Sequence, residues 1–192
     1  MKTVWIVNHY AQVPGGVGGT RHYQLAQGLV SSGWKACILA ASTELNTGKQ
    51  RLSPGEHARL DVVDGIPFLW LFAPSYKGNG VGRIRNMFSF AIGLLNPRPL
   101  RLLPQPDLII GSSVHPFAVW SAYRLARRYR VPFVFEVRDL WPELPRAMGV
   151  VRNPLVLAVL SALEWSSYHS ADACIGLAPG ICEGIADRGI EP

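Results

Sequence analysis

Short apolar runs separated by helix-forming stretches recur from one end of this chain to the other, and that alternation leaves few folds open. Residues 3–8, 36–41, 107–111, 132–137 and 173–177 read as buried strands. Residues 59–63 and 67–72 flank Asp64-Gly65, the dipeptide of a tight hairpin turn. Between them lie helical stretches. Leu25, Ala26, Leu29 and Val30 form a stripe that Ser32-Gly33 ends, residues 83–95 are apolar on most faces, and Pro116, Pro154 and Pro179 open three more. Continuous apolar strands alternating with helices predict an α/β fold: a Rossmann-like, doubly wound, mostly parallel sheet with helices on both faces. A length of 192 residues, 48% of them hydrophobic, fits one domain over 1–192 with a full core.

The charge narrows the function classes. A net charge of +6 with only 17% charged residues fits neither a disordered tail nor a dedicated nucleic-acid binder. Arginine excess suits phosphate contacts, and a basic surface suits anionic lipid. Cys37, Cys174 and Cys182 lack metal-ligand spacing and predict free thiols in a reducing compartment. The apolar stretch after Lys2 stops at Asn8-His9, too short for a signal peptide, and no run is long enough to span a bilayer. A cytoplasmic protein is the expectation.

One loop carries the first chemical signal. Gly15, Gly16, Gly18 and Gly19 stand between the first strand and a helix opened by Thr20-Arg21-His22. A glycine-rich strand–helix turn lets backbone N–H groups approach an anion, and the helix dipole favours negative charge there.

The second signal is convergence. Parallel sheets bind ligands beyond the carboxyl ends of their strands. Those ends carry Asn8-His9, Ser112-Ser113-Val114-His115, and Glu136, Arg138 and Asp139. Each has a structural alternative. Asp139 is an acceptor-side base or caps the turn at Trp141-Pro142. Glu136 is a site carboxylate or pairs internally with Arg138 or another arginine. His115 and His9 are site imidazoles, or His115 merely begins a helix. His57 and His169 carry no case, and Arg124, Arg127, Arg128 and Arg130 read as a solvated helix face. Residues 83–103, with Met87, Phe88, Phe90, Ile92, Leu94 and Leu95 flanked by Arg83, Arg85, Arg98 and Arg101, are a core helix with basic ends or a helix at a membrane interface.

Three functions fit this far. A nicotinamide or flavin oxidoreductase needs an acid at the second strand's end to hold a ribose, and here that strand ends Leu39-Ala40-Ala41-Ser42, with Glu44 beyond it. Sugar transfer needs a loop for a diphosphate leaving group and strand-end residues for an acceptor. A free-standing phosphate-binding module is the third.

Asn8-His9-Tyr10-Ala11, Gly18 to Ala26, and Phe135 to Glu143 resemble the N-terminal half of a bacterial GT-B glycosyltransferase. The nearest type is retaining family 4, in its WbuB-like branch of fucosamine and polysaccharide-assembly transferases. The resemblance runs along nearly the whole chain. It implies a nucleotide-sugar donor and a glycan or polyprenyl-diphosphate-linked acceptor, with no metal or cofactor and no nucleic acid. Gly15, Gly16, Gly18, Gly19 and Arg21 would face the donor diphosphate, and Asp139 and His115 the chemistry. His9, His22, Glu136 and Arg138 would hold the acceptor. Work at the inner face of the plasma membrane is also implied, with 83–103 as a peripheral contact. The family's donor-binding half and its glutamate pair are expected beyond Pro192. Glu183 and Glu191 share that pair's spacing by coincidence, and the fragment alone is expected to transfer nothing.

Overall fold

The computed structural model describes residues 1–16, 19–45, 47–78, 80–147, 149 and 151–190. Gly18 and Glu191 lie outside the described residues. Seven strands form one sheet: β1 (Thr3–Val7), β2 (Lys35–Ala41), β3 (Ala58–Val63), β4 (Ile66–Leu71), β5 (Leu108–Ser112), β6 (Phe133–Val137) and β7 (Ala173–Gly176). Their spatial order is β3-β4-β2-β1-β5-β6-β7. Every pairing is parallel except β3 with β4. That exception is the predicted hairpin, where Asp64 (φ 48°) and Gly65 (φ 80°) both take the left-handed conformation a two-residue turn requires.

Helices α1 (Arg21–Ser31), α2 (Val81–Leu95), α4 (Pro116–Tyr129) and α6 (Pro154–Ser170) make the long crossovers, with short α3 (Pro97–Leu100), α5 (Glu143–Ala147) and the closing α7 (Pro179–Ala186). Successive strand side chains point to opposite faces, and both faces are covered. Trp5 and Val7 pack with Phe90, Val119 and Phe135 under α2 and α4, while Val4 and Ile6 pack with Tyr23, Ala26 and Phe68 under α1. The mostly parallel, doubly wound α/β architecture is thus present. Glycine is needed at one point of the core, since a Cβ on Gly111 would lie 2.9 Å from Ala122 Cβ and 2.9 Å from the Phe133 ring. β5 and α4 approach that closely.

Strand order reverses between β1 and β5: the chain runs outward from β1 to β2, then returns to lay β5 on β1's other side. At such a point the two crossovers diverge and leave a crevice at the carboxyl ends.

Candidate functional site

The tips of β1, β5 and β6 are tied together by two buried hydrogen-bonded clusters, one beneath each side of that crevice. The first centres on Glu136, whose side chain is fully buried on β6. Its carboxylate takes the Arg21 guanidinium on one oxygen and His22 Nε2, 2.7 Å away, on the other. A carboxylate only accepts, so His22 carries its proton on Nε2. Asn8 Nδ2 donates to Ser112 Oγ at 2.9 Å, its orientation fixed because its Oδ1 accepts from Tyr10 N–H. Ser112 Oγ lies 3.1 Å from His22 Nε2. Burial alone would raise the Glu136 carboxyl. The hydrogen bond and charge of His22, the Ser112 hydroxyl and Arg21 outweigh it and hold the group down to about 2. The internal arginine pair expected for Glu136 is made not with Arg138 but with Arg21, the first residue of α1.

The second cluster is a chain of four hydrogen bonds with one direction. Asn86 on α2 donates Nδ2–H to Pro74 O at 2.7 Å, leaving its Oδ1 to accept from His9 Nε2 at 2.7 Å. His9 Nδ1 then accepts from His115 Nε2, also at 2.7 Å, and His115 Nδ1 accepts from Ala118 N–H at 3.2 Å. Every bond fixes the next, so both imidazoles are neutral with the proton on Nε2. Burial pulls His9 down to about 3, opposed by the Asn86 bond and aided by Arg83. Burial, then His9 and Arg83, hold His115 well below its ordinary value.

His115 is therefore the N-cap of α4, wholly buried with both nitrogens engaged. Of its two readings, the helix start is the one seen, because Pro116 starts the helix at once and draws the ring inward as the cap. His9 is equally buried. Neither ring offers a nitrogen to a substrate in this arrangement.

The groups that do border solvent are Arg21, Arg138, Asp139 and the glycine turn. Ser113 N–H donates to Glu136 O, and Arg138 N–H donates to Ser113 Oγ, each at 2.9 Å. These bonds carry the β5–β6 seam past the strands and fix where Asp139 emerges. Asp139 is half-buried. Burial raises its carboxyl, partly offset by Arg138. Ahead of α1, Gly15 turns the chain with φ 79°, and Gly16 N–H closes the turn on Val13 O at 3.1 Å. A Cβ on Gly19 would meet open space. Among the described residues, Thr20 makes no side-chain cap and no acid stands in the first turn of α1, so the helix start keeps donor amides and a positive dipole end. Arg21 Nε–H is buried and finds no partner among the described residues. Because Arg21 is bound to Glu136, the start of α1 and the β6 tip sit on one rim.

Two bracing residues escaped the sequence reading. Asn86 anchors the His9 end of the histidine pair, and its signal was an amide on the buried face of α2. Arg51, in the connection between β2 and β3, donates to Gln12 Oε1 at 2.8 Å, pairs with Glu44 at 2.9 Å and stacks over Trp70 at 4.5 Å. It thereby fixes the foot of the glycine turn. Glu44 is consumed in that pair, and Ser42 is buried with its Oγ accepting from Ala73 N–H, so the end of β2 has no acid to hold a ribose. A cleft of about 520 Å³ adjoins the β6 tip, lined by Trp141, Glu143, Glu164, Trp165 and Arg188 among others. A larger one of about 640 Å³ lies at the amino ends of β6 and β7, away from the clusters.

The family described as Glycosyl transferase 4-like domain matches residues 15–192. No curated protein matches the chain. Among solved structures, sucrose-phosphate synthase from Thermosynechococcus elongatus superposes with a TM-score of 0.64 at 13% identity, covering 100% of this chain and 46% of that one. A structure described as trehalose-6-phosphate from E. coli, bound with UDP-2-fluoro glucose, superposes with a TM-score of 0.56 at 13% identity, covering 97% and 42%. At that identity the likeness is one of fold, and the chain spans less than half the length of either structure.

Proposed function

The chain belongs to the glycosyl transferase 4-like domain family, and from that membership and the strand-end geometry we propose that it is the acceptor-side half of a retaining GT-B glycosyltransferase. It works with a nucleotide-sugar donor and a lipid-linked glycan acceptor, in cytoplasmic assembly of a cell-surface polysaccharide of the WbuB-like type. One observation carries the reading: an uncapped helix start with its glycine turn and an emergent carboxylate share one rim of a sheet that reverses strand order between β1 and β5.

The roles follow from what each group offers. The amides around Gly15, Gly19 and Arg21 present N–H donors to the donor's diphosphate, with Gly16 closing the turn on Val13 and Gly18 in the same run of sequence. The bond from the sugar's anomeric carbon to that diphosphate breaks, and a bond from the same carbon to an acceptor oxygen forms. Asp139 takes the acceptor hydroxyl's proton, a task suited to a carboxylate that burial makes more basic. Arg138 binds the acceptor. Glu136 and His22 are positioning residues that hold Arg21, while Asn86, His9 and His115 fix the first turn of α4 and the β1 tip. One open sheet edge cannot exclude water or enclose a developing oxocarbenium ion. A donor-binding domain closing over the crevice supplies the other wall, and residues 1–192 alone are inactive in transfer.

The test joins this domain to a donor-binding domain of the same family and measures sugar transfer. Asp139→Asn should lower kcat by about 100-fold or more while leaving thermal stability and acceptor KM near their starting values. Unchanged kcat in Asp139→Asn removes the assigned chemistry.

A further inference from the structure

Arg188, just beyond α7, braces the helices that follow β6. Its Nε donates to Glu164 Oε2 at 3.1 Å, its Nη1 to Gly184 O at 2.7 Å and its Nη2 to Glu143 Oε1 at 2.7 Å. Glu164 Oε1 in turn accepts from Trp141 N–H at 2.6 Å. One buried carboxylate thus fixes both the chain leaving the β6 tip and the end of α7. The seating is close, since a Cβ on Gly184 would lie 2.6 Å from Leu140 Cδ1. The cleft of about 520 Å³ beside the β6 tip is framed by these bonds.

Two kinds of surface line that cleft. Trp141 and Trp165 supply indoles, and Trp165 is 59% exposed although the His169 imidazole stacks on it at 3.9 Å. Beside them stand hydrogen-bonding groups that the fold leaves unused. Ser161 Oγ and the Asp187 carboxylate have no partner among the described residues. Glu143 is exposed, and Arg188 takes only its Oε1. The Trp141 indole N–H, buried in the cleft wall, finds no acceptor among the described residues.

Indoles beside acceptor-only carboxylates and one unmet N–H donor match the chemistry of a pyranose ring. Such a ring has an apolar C–H face that stacks on an indole and a rim of hydroxyls, each both donor and acceptor. Its O–H groups donate to Glu143 and Asp187, and a hydroxyl oxygen accepts the Trp141 N–H, which otherwise stays buried and unmet at a cost. An anion would meet two carboxylates, with Arg188 already committed to Glu143 and Glu164. A wholly apolar ligand would strip those carboxylates of solvent with nothing in return. We propose that the cleft between α5, α6 and the end of α7 binds a neutral pyranose unit of a glycan. Trp141 stands two residues beyond Asp139, so this subsite adjoins the strand-end site without sharing its residues. The further step, that the ring is a unit of the acceptor neighbouring the one that receives the sugar, rests on the proposed function; carbohydrate binding itself does not.

Titration of the chain with the methyl glycosides of glucose, galactose and N-acetylglucosamine, followed through the tryptophan indole N–H resonances, tests binding without any sugar transfer. At least one should give saturable shifts at Trp141 and Trp165 and none at Trp120 on α4. Trp165→Ala, at an exposed position, should weaken binding about tenfold. Trp141→Phe keeps a ring but removes the donor and should weaken it about threefold. Trp120→Ala should bind as wild type, and unchanged melting temperatures confirm folding. Shifts that never saturate with any of the three overturn the proposal. So do equal shifts with uridine, which would make the cleft a general aromatic trap, or wild-type binding by Trp165→Ala. In the enzyme joined to a donor-binding domain, Trp165→Ala should raise acceptor KM about tenfold with kcat unchanged. An unchanged KM there, with sugar binding intact in the titration, overturns the acceptor step alone, while Asp139→Asn reports on the chemistry separately.

Discussion

His115 Nε2 donates to His9 Nδ1 across 2.7 Å, and both rings are wholly buried. This bond joins the tip of β1 to the cap of α4, on the two sides of the strand-order reversal. It also gives the domain an acid sensitivity with a definite sign. The unfolded chain protonates its histidines below about pH 6.5, whereas folded His9 stays neutral down to about 3 and His115 is also held well below its ordinary value. The unfolded state therefore binds more protons in that window, and stability falls as pH drops through it, by roughly 1 kcal/mol per pH unit for each ring. Urea melts between pH 7 and 4 should show that slope, and H115N, whose side chain can still cap α4, should flatten it. A wild-type stability independent of pH between 6.5 and 5 would contradict neutral buried rings.

Asn86 orients this chain of bonds from its far end. Leu in its place is close in size but leaves His9 Nε2–H and Pro74 O unsatisfied in the interior. N86L should lose about 2–4 kcal/mol by denaturant titration, within the range for buried polar groups stripped of partners. A loss below 0.5 kcal/mol would mean that the amide is dispensable to the fold.

Glu136 faces Arg21 and His22 as a buried carboxylate. Gln keeps the shape and removes the charge, so E136Q should cost about 1–3 kcal/mol. Because the folded carboxyl is held down to about 2, its contribution is complete above about pH 4.5 and fades as pH falls towards 2. The difference between wild type and E136Q should accordingly shrink over that interval and not at higher pH.

Two glycines separate packing from binding. Gly111→Val drives a branched side chain into Ala122 and Phe133 and should destabilise by about 3 kcal/mol or more. Gly19→Ala adds a methyl to open space and should shift stability by less than about 0.5 kcal/mol. Any loss of nucleotide-sugar affinity in Gly19→Ala is then an effect on the ligand and not on the fold.

The architecture was legible because its determinants are local. Val4 to Val7 and Leu108 to Ile110 are apolar on consecutive residues, which only a strand covered on both faces tolerates, and Asp64-Gly65 specifies its turn outright. The glycine turn, Arg21 and the carboxyl-end carboxylates were legible for the same reason. Partners across the sheet were not. Glu136 was expected to pair with Arg138, two residues away, or with another arginine, and the one it takes is Arg21, 115 positions distant in the chain. Strand alternation fixes which face a side chain points to, but not which crossover helix arrives there. His115 was left between a site imidazole and the start of a helix, because a strand-end histidine and a helix cap look alike until the partners of both ring nitrogens are seen. Asn86 and Arg51 acquire their meaning only once α2 and the 42–58 loop have folded back onto β1.

The central claim is that the rim shared by the α1 start and the β6 tip receives a nucleotide-sugar diphosphate. Amide chemical-shift mapping of the chain during titration with UDP-glucose tests it most directly. The predicted result is weak, saturable perturbation centred on Gly15, Gly16, Gly19, Arg21 and Asp139, diminished in R21A. Perturbation confined to the Arg127–Asp172 cleft at the amino ends of β6 and β7, or none at millimolar ligand, would contradict it.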